Sequence, residues 1–353
     1  METCADLPRN DLTPVFHAPM RIGITGSGGF IGSYLLKYLH ARYPGTISVF
    51  VRNPGSCGVE FSAQVRVVRG ELLSTTDCEH FVEDLDTIFY LAHRNCPITS
   101  DVDLPGDCLA NTVPFLTFVQ AVRSRTTRPH VIYFSSGGAV YANQEMKIPF
   151  RETDPTCPLS SYGIQKLTAE SYLRAAAQHG YLTGTVLRVG NAYGTLLPSE
   201  RMQGLIGVAV GNALKGVPVR LLGNVSNVRD YIHHEDVCRL AEMAMQRRGA
   251  PFEVFNCATQ LGHTVLQILQ LIEDCLGHRV ERHIDGQNAS GLTDWCVLDV
   301  SKAREQLGWI PNIDLTSGIR RMIHAPASGA SFPALRCDSP PFARLTSCRE
   351  SAP

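Results

Sequence analysis

The stretch that decides the fold is Ile22-Gly23-Ile24-Thr25-Gly26-Ser27-Gly28-Gly29-Phe30-Ile31-Gly32. It joins an apolar strand-like run, a glycine-rich turn and the first residues of a helical pattern. The glycines at 26, 29 and 32 have the spacing G-x-x-G-x-x-G, which is typical of turns that place a dinucleotide pyrophosphate on a helix N-terminus. Taken alone, the motif is equally compatible with a glycine-rich turn that binds no ligand.

Strand and helix patterns alternate along the chain after this turn. Apolar runs predict strands at 47–51, 65–68, 87–91, 131–134 and 183–187, and apolar periodicity predicts helices at 111–122 and 162–178. Such alternation with short connections indicates an α/β fold built on a parallel sheet that helices cover on both faces. We therefore expect a Rossmann doubly wound parallel sheet with its ligand at the carboxyl ends of the strands.

The texture of the chain changes after Gly194. We predict a Rossmann domain over 20–194 to which 225–260 return, a smaller mixed α/β substrate lobe from 195–224 and 261–324, and disordered ends at 1–19 and 325–353. Within the lobe, helical patterns are expected at 262–277 and 301–307, the latter ended by Gly308 and Pro311.

Composition and charge exclude several classes of function. The 353 residues carry a net charge of −1, which is no electrostatic signature for nucleic acid, and no uninterrupted apolar run is long enough to span a membrane. The 12 cysteines are scattered without a C-x-x-C pair, and the N-terminus lacks a signal-peptide pattern, so we expect a cytoplasmic protein with reduced thiols. The pair His233-His234 has no cysteine or acidic partner at zinc-ligand spacing, and we predict no metal.

A second motif, Ser160-Ser161-Tyr162-Gly163-Ile164-Gln165-Lys166, points to proton transfer. The i,i+4 spacing of Tyr162 and Lys166 places the phenol and the ammonium on one helix face. A nearby ammonium and the positive nicotinamide of an oxidised cofactor favour the phenolate, which can then exchange a proton with a substrate hydroxyl. A third motif, Phe134-Ser135-Ser136-Gly137-Gly138-Ala139-Val140-Tyr141, follows the fifth strand, where such sheets present catalytic groups.

With these motifs in order, the chain resembles the extended short-chain dehydrogenases/reductases, and among them the nucleotide-sugar epimerases and dehydratases, from about Met20 to about Ile323. The resemblance also covers Gly70-Glu71-Leu72, Asp86 to Ala92, Asn111, Leu187 to Gly194, Arg229 to His233 and Leu307 to Pro311. It implies catalytic roles for Tyr162, Lys166 and Ser136. It implies cofactor contacts from Gly26, Gly29, Phe30, Ile31, Gly32, Arg52, Glu71, Leu72, Leu91, Ala92, Asn111 and Lys166, and substrate contacts from Ser136, Asn191 and Arg229.

The same resemblance implies a reaction. Bound NAD accepts hydride from a hexose C4 while Tyr162 takes the hydroxyl proton, and hydride returns to the other face of the 4-keto sugar. Lys166 bonds the cofactor ribose, Asn191 contacts the nucleotide sugar, and Arg229 binds its diphosphate. The family commonly dimerises through two Rossmann helices, which correspond to residues 111–123 and 162–178 here, so a homodimer is expected.

Three positions depart from the family pattern. Gly137 stands where Ser or Thr usually bonds the substrate O4, and Ser136 or a water in the space beside the glycine is expected to substitute. The second strand ends Val51-Arg52-Asn53 without the acid that selects NAD, and Arg52 could face the 2′-phosphate of NADP, so NAD and NADP both stay open. Ala289 stands where a diphosphate-binding Arg is common, and Arg279 or Arg282 is expected to compensate.

Three functions are therefore compatible with the sequence. The first is a nucleotide-sugar 4-epimerase. The second is an oxidoreductase or 4-ketoreductase of nucleotide sugars on the same scaffold. The third is a catalytically weak cofactor-binding protein, against which the retained Tyr162/Lys166 pair argues. Gly138 and Ala139 replace the Asp-Glu pair of the dehydratases, which argues against 4,6-dehydration.

Overall fold

The structure is a computed structural model that describes residues 20–53, 64–201, 203–247, 249–285 and 293–325. Apart from Ala325, the two predicted disordered ends lie outside the described residues, and so does Ala289.

Strands and helices alternate through most of the described chain. The strands are β1 (Ile22–Thr25), β2 (Ile47–Val51), β3 (Val65–Arg69), β4 (Thr87–Tyr90), β5 (His130–Ser136), β6 (Thr183–Val189), β7 (Asn191–Tyr193), β8 (Val219–Leu222), β9 (Val228–His233), β10 (Phe252–Cys257), β11 (Gly262–Thr264), β12 (Arg282–Asp285) and β13 (Trp295–Cys296). The helices are α1 (Phe30–Arg42), α2 (Thr75–Val82), α3 (Leu104–Arg123), α4 (Gly137–Val140), α5 (Ser161–Gln178), α6 (Leu205–Leu214), α7 (His234–Gln246), α8 (Val265–Leu276), α9 (Ser301–Leu307) and α10 (Leu315–His324).

The large sheet has seven strands in the order β10-β6-β5-β4-β1-β2-β3, and every neighbouring pair is parallel. The chain first moves outward from β1 to β2 and β3, and then crosses to β4 on the other side of β1. The carboxyl ends of β1 and β4 therefore border the switch point at which open α/β sheets bind ligands. The predicted Rossmann doubly wound sheet is confirmed.

Successive side chains of each strand point to opposite faces of the large sheet and pack into two hydrophobic layers. Ile22, Ile24 and Phe89 belong to the layer that contains the apolar face of α1 and α7. Ile88 and Tyr90 belong to the opposite layer, which contains α2, α3 and α5 side chains. Because both faces of the sheet are covered, the central strands are apolar almost throughout, as parallel sheets require.

A smaller lobe contains a four-stranded sheet, in which β9 pairs with β7, β11 and β13, and a two-stranded sheet of β8 and β12. Its core includes Ile206, Ile268 and Ile319 of three separate helices. The segment 225–260, expected to return to the Rossmann domain, is divided between the two parts. Its strand β10 extends the large sheet, whereas β9 is the central strand of the small one.

Helix α3 begins at Leu104 rather than at residue 111, where the apolar pattern starts. The Asp103 side chain caps the helix by accepting from the backbone N–H of Gly106 at 3.0 Å, and Pro105 lies in the first turn. Proline is favourable at this position because the first-turn N–H groups have no partner within the helix, although the same residue suggests a loop in the sequence. Across the described residues, none of the helices has the length and apolar character needed to cross a membrane.

Candidate active site

The glycine turn is built around close backbone contacts. Gly26 has φ +72°, and a Cβ atom on it would lie 2.7 Å from the backbone nitrogen of Ala92. A Cβ atom on Gly32 would lie 2.1 Å from the carbonyl oxygen of Gly26. Gly29 precedes α1, whose first turn has neither a side-chain cap nor an acidic residue. The turn and the positive end of α1 therefore suit a pyrophosphate, which fits the dinucleotide predicted for this site.

The end of β4 lies directly beside this turn. The hydroxyl oxygen of Thr25 accepts hydrogen bonds from the backbone N–H groups of Leu91 at 3.2 Å and Ala92 at 3.4 Å. These bonds hold the two predicted cofactor residues at the switch point. Phe30 and Ile31 are half-buried in the first turn of α1, on the same edge of the sheet.

Tyr162 is fixed at the N-terminus of α5. Its backbone N–H donates to the hydroxyl oxygen of Ser100 at 3.1 Å. A Cβ atom on Gly163 would lie 2.3 Å from the carbonyl oxygen of Ala139, so only glycine allows α5 to come this close to α4. The approach brings the Tyr162 phenol close enough to Ser136, at the end of β5, for the serine hydroxyl to lower the phenol pKa. The structure therefore places Ser136 beside Tyr162, and the catalytic role of Ser136 stays a prediction.

The pKa values of Tyr162 and Lys166 differ from what the sequence predicts. Burial raises the pKa of the Tyr162 phenol to about 12, although the hydrogen bond with Ser136 acts in the opposite direction. Burial lowers the pKa of Lys166 to about 7, and its Nζ donates to the carbonyl oxygen of Phe134 at 2.9 Å. In the protein alone, Lys166 thus does not lower the phenol pKa as expected. Besides Ser136, the positive charge of an oxidised nicotinamide is a further source of such a shift.

Gly137 is buried, and its surroundings explain why no side chain stands there. A Cβ atom would lie 2.3 Å from Cδ1 of Leu298, and the thiol of Cys296 donates to the Gly137 carbonyl oxygen at 3.4 Å. The expectation that water occupies space beside the glycine is wrong, because the Leu298 side chain fills that space. Ser136 is left as the hydroxyl beside Tyr162.

A buried ion pair supports α5 behind the catalytic face. Arg188 of β6 contacts Glu170 at 2.8 Å, and the Ser135 hydroxyl also donates to Glu170. Glu170 lies one turn after Lys166 and favours its charged form, which partly opposes the effect of burial on the Lys166 pKa. The pair therefore ties α5 to β5 and β6.

The other two predicted substrate residues, Asn191 in β7 and Arg229 in β9, lie in strands of the small sheet. The side-chain amide of Asn191 donates to the carbonyl oxygen of Asp230 at 3.4 Å. The Arg229 guanidinium donates to the carbonyl oxygens of Val228 at 2.8 Å and Thr293 at 2.5 Å, and burial lowers its pKa. Arg229 also pairs in register with Cys296, whose thiol contacts Gly137, so the arginine borders the catalytic strand end.

Several predicted cofactor residues lie at the same sheet edge with differing exposure. Arg52 is exposed directly after β2, Glu71 is exposed after β3, and Leu72 is half-buried beside it. Asn111 is buried in α3, where its Oδ1 accepts from the backbone N–H of Arg94 at 2.7 Å. That bond makes Asn111 a brace for the loop after β4, and its contact with a cofactor stays a prediction.

The expected compensation by Arg279 or Arg282 finds no support in the contacts of these residues. Arg282 forms an ion pair with Glu273 at 3.7 Å within the small lobe. Arg279 is exposed after α8.

The histidine pair has an acidic neighbour that the sequence analysis did not recognise. Ligand atoms of His233, His234 and Glu235 lie within 4.8 Å of one another. However, the Nδ1 atom of His233 accepts from the backbone N–H of Glu235 at 3.3 Å, and Glu235 pairs with Arg321 at 3.2 Å. The premise that no acid is near was wrong, although the competing cation Arg321 disfavours a metal at this position.

Two residues of the site were missed from sequence. His93 follows the predicted stretch Asp86 to Ala92 and packs edge-on against Tyr162, with ring centroids 4.8 Å apart. Leu298 fills the space at Gly137. A histidine immediately after a cofactor-binding strand end was a usable signal for the first, whereas nothing local marks Leu298.

The model of the NAD dependent epimerase/dehydratase family matches residues 22–258. The chain belongs to this family. Its relatives include a UDP-glucose 4-epimerase of Azospirillum brasilense, 31% identical over 86% of the chain and 91% of the relative, and a dTDP-4-dehydro-6-deoxyglucose reductase of Escherichia coli, 26% identical over 85% and 95%. The solved UDP-glucose 4-epimerase of Thermus thermophilus in complex with NAD has a TM-score of 0.77 and 25% identity, covering 86% of this chain and 98% of its own.

Membership of the NAD dependent epimerase/dehydratase family makes the protein an enzyme of the nucleotide-sugar epimerase, dehydratase and reductase group. The two relatives cover a larger share of the chain than residues 22–258, which the family model matches. Because that group includes both an epimerase and a reductase, membership alone leaves the reaction and the sugar to be argued from the site.

Proposed function

We propose that the protein is an NAD-dependent nucleotide-sugar 4-epimerase. The observation that carries the proposal is the convergence of Ser136, Tyr162 and Lys166 at the end of β5, beside the glycine turn. The dehydratase acid pair is replaced by Gly138 and Ala139, so the site offers a proton-transfer group for a hydroxyl and no second acid for eliminating water.

In the proposed reaction the protein side chains transfer one proton from and to the substrate hydroxyl. NAD, when bound by the glycine turn and Lys166, would supply the hydride chemistry at the sugar C4. Tyr162, as the phenolate that the positive nicotinamide would favour, accepts the C4 hydroxyl proton as the C–H bond breaks. It gives the proton back to the oxygen when the C–H bond re-forms, so the net redox change is zero. Ser136 bonds the phenol and orients it, while Lys166 holds the cofactor ribose.

At the nucleotide end, we assign Arg229 to the diphosphate and Asn191 to the sugar. Arginine suits a diphosphate because its planar fork bonds two phosphate oxygens at once. Two of the Arg229 N–H groups are engaged by backbone carbonyls, which fixes the guanidinium plane at the strand end. Burial lowers the pKa of Arg229, and an anion bound beside the guanidinium would offset this effect by stabilising its charge.

We propose NAD as the cofactor, in line with the NAD complex of the Thermus thermophilus relative. The exposed Arg52 after β2 is the feature that favours NADP, since a guanidinium there suits a 2′-phosphate. Calorimetric titration with both cofactors decides between them. Tighter binding of NADP, reversed in Arg52→Ala, would overturn the choice of NAD.

The test of the proposed reaction uses purified protein with its bound cofactor measured first. It is then incubated with UDP-glucose, UDP-galactose and their N-acetyl forms, and products are separated by chromatography while nicotinamide absorbance is followed. Interconversion of a pair without net change in reduced cofactor is expected. Stoichiometric formation or consumption of reduced cofactor shows an oxidoreductase instead, and cofactor binding with no turnover shows the weak binding protein.

The second candidate is a 4-ketoreductase, which the relationship to the Escherichia coli reductase favours. The site supplies a phenol for protonating a reduced carbonyl in either case. The two functions differ in cofactor turnover: a reductase exchanges its cofactor each cycle, whereas an epimerase retains it. Copurification of tightly held NAD would therefore argue for the epimerase.

We also propose that the protein is a homodimer through α3 and α5. These helices pack side by side, and their outer surface exposes Leu109 at 45%, Ile164 at 54% and Tyr172 at 48%. Apolar side chains grouped on neighbouring helices are typical of association surfaces. Light scattering after size exclusion is expected to give a dimer mass, and Ile164→Asp is expected to give a monomer. A monomeric wild-type protein would contradict the proposal.

We propose a cytoplasmic location because the protein has free, exposed thiols. The described part of the chain contains eight free cysteines, of which Cys108 and Cys157 are exposed. Exposed thiols persist in reducing compartments, where disulfides are rare. Fractionation of the cells that make the protein would test the location.

A further inference from the structure

His93 lies between the glycine turn and the catalytic tyrosine. It follows Leu91 and Ala92, whose backbone contacts Gly26, and its ring meets the Tyr162 ring edge-on with centroids 4.8 Å apart. The side chain is thus placed between the turn that suits a pyrophosphate and the Tyr162 phenol. In a dinucleotide that runs from one to the other, this is the position of the nicotinamide half.

One nitrogen of this ring is not satisfied by the protein. The Nε2 atom of His93 is buried, and within the described ranges it has no hydrogen-bond partner. A buried polar atom without a partner destabilises the folded protein, and such atoms in native proteins usually have a reason in ligand binding or catalysis. The structural alternative is a ring that only packs against Tyr162.

The surroundings keep His93 neutral. Burial lowers its pKa well below 6.5, and the nearby Lys166 ammonium acts in the same direction. A neutral imidazole carries one N–H donor and one acceptor nitrogen, so it can bond a hydroxyl or amide without adding a second positive charge beside an oxidised nicotinamide. An arginine or lysine here would repel that ring.

We propose that His93 is a cofactor-binding residue, whose Nε2 hydrogen-bonds the nicotinamide half of the bound cofactor while its ring edge positions Tyr162. The inference rests on the proposed cofactor function and extends it to a residue outside the family motif. It separates two roles of one side chain: the nitrogen acts on the cofactor, and the ring acts on the phenol.

The experiment separates these roles by ligand and by substitution. Protein freed of copurified cofactor is titrated by calorimetry with NAD and with ADP, which lacks the nicotinamide half. His93→Phe keeps an aromatic edge against Tyr162 and removes both nitrogens, while His93→Asn restores a hydrogen-bonding group. His263→Phe is the control, because His263 is a half-buried histidine of the small lobe whose Nδ1 also has no partner in the described structure.

His93→Phe is expected to weaken NAD binding about tenfold and to leave ADP binding unchanged, as the loss of one hydrogen bond predicts. His93→Asn is expected to recover most of the NAD affinity, and His263→Phe to bind NAD as wild type does. Should His93→Phe not fold, His93→Met, of similar volume, is measured in its place.

Other outcomes overturn the inference in distinguishable ways. Unchanged NAD binding in His93→Phe leaves only packing for the ring. Equal weakening of NAD and ADP indicates a general distortion of the site. A rise in the KM for sugar with unchanged NAD affinity assigns the nitrogen to the substrate. If wild-type protein binds neither NAD nor NADP, the proposed function itself fails, and the assignment of His93 fails with it.

Discussion

Two glycine positions of the active site, Gly32 in the turn after β1 and Gly137 after β5, lack a side chain for different reasons. At Gly32 the position of a Cβ atom is taken by the carbonyl oxygen of Gly26, 2.1 Å away. At Gly137 it is taken by Cδ1 of Leu298, 2.3 Å away. The first obstacle is backbone of the same turn, whereas the second is the end of a side chain from a distant part of the chain.

The difference teaches how the two ends of the site can vary. A backbone carbonyl cannot move without changing the turn, so a side chain at Gly32 is not tolerated in the region that suits the cofactor pyrophosphate. A leucine side chain can be shortened, so the catalytic strand end is adjustable by a second substitution. The cofactor end is thus defined by main chain, and the substrate end by side-chain packing.

The largest effect is expected on turnover, and it tests whether the end of the site near Gly137 carries out the proton transfer. Tyr162→Phe is expected to lower turnover about a thousandfold, because it removes the group that exchanges the substrate proton. NAD affinity, measured by calorimetry, is expected to stay close to that of wild type. Tyr181→Phe, beyond the far end of α5, serves as the control with normal turnover. Retained activity in Tyr162→Phe would move the proton-transfer role to another residue.

The next largest effect is expected on NAD binding at the glycine turn, where backbone atoms surround Gly32. Gly32→Ala is expected to weaken NAD binding about 100-fold, because the added methyl forces the turn apart at a cost of about 1–3 kcal/mol or more. Gly29→Ala is the matched comparison, since its Cβ would lie 3.3 Å from the same carbonyl oxygen and needs only a small adjustment. Titration calorimetry measures both. Equal losses in the two variants would contradict a specific contact at Gly32.

A smaller effect is expected at Gly137, where a side chain is the obstacle. A second substitution should therefore reverse it. Gly137→Ala is expected to destabilise the protein by about 1–3 kcal/mol and to lower activity about tenfold, because the methyl overlaps Leu298. Leu298→Ala in the same chain is expected to restore much of the loss. Urea unfolding of both single variants and the double variant gives the coupling energy. Simple additivity would show that Leu298 is not the obstacle.

The smallest effect concerns the charge of Lys166. Burial lowers its folded pKa to about 7, below the ordinary value near 10.5, so between these pH values the unfolded chain binds more protons. The unfolding free energy of cofactor-free protein therefore rises with pH in this window, by at most about 1.4 kcal/mol per pH unit from this group. Below pH 7 both states are protonated and the full cost of the buried charge is present.

Urea unfolding of wild type and Lys166→Met between pH 7.5 and 9.5 checks this slope. The difference between the two proteins removes the contribution of buried thiols such as Cys78, whose raised pKa acts in the opposite direction and is common to both. Wild type is expected to gain stability with pH relative to Lys166→Met. Parallel curves would mean that the Lys166 ammonium is not disfavoured by burial.

Much of the site was predictable because its signals are local. The glycine spacing places Gly26 and Gly32 in one turn, and the i,i+4 spacing places Tyr162 and Lys166 on one helix face, whatever the rest of the chain does. Even the start of α3 had a local signal in Asp103, although the proline that follows obscured it.

The rest depended on contacts between segments that are distant in sequence. Leu298 at Gly137, His93 against Tyr162, and the burial that raises one pKa and lowers the other are products of packing. The division of 225–260 between two sheets was decided in the same way, by strand pairing.

The sequence by itself thus determined the Rossmann fold, the glycine turn and the placement of Tyr162 and Lys166 on one helix face, since short-range spacing and strand–helix alternation specify each of them. Tertiary structure alone decided that Gly137 faces Leu298 and that burial raises the pKa of the Tyr162 phenol. The physical reason is that excluded volume and desolvation are properties of the packed interior, where residues far apart in the chain become neighbours.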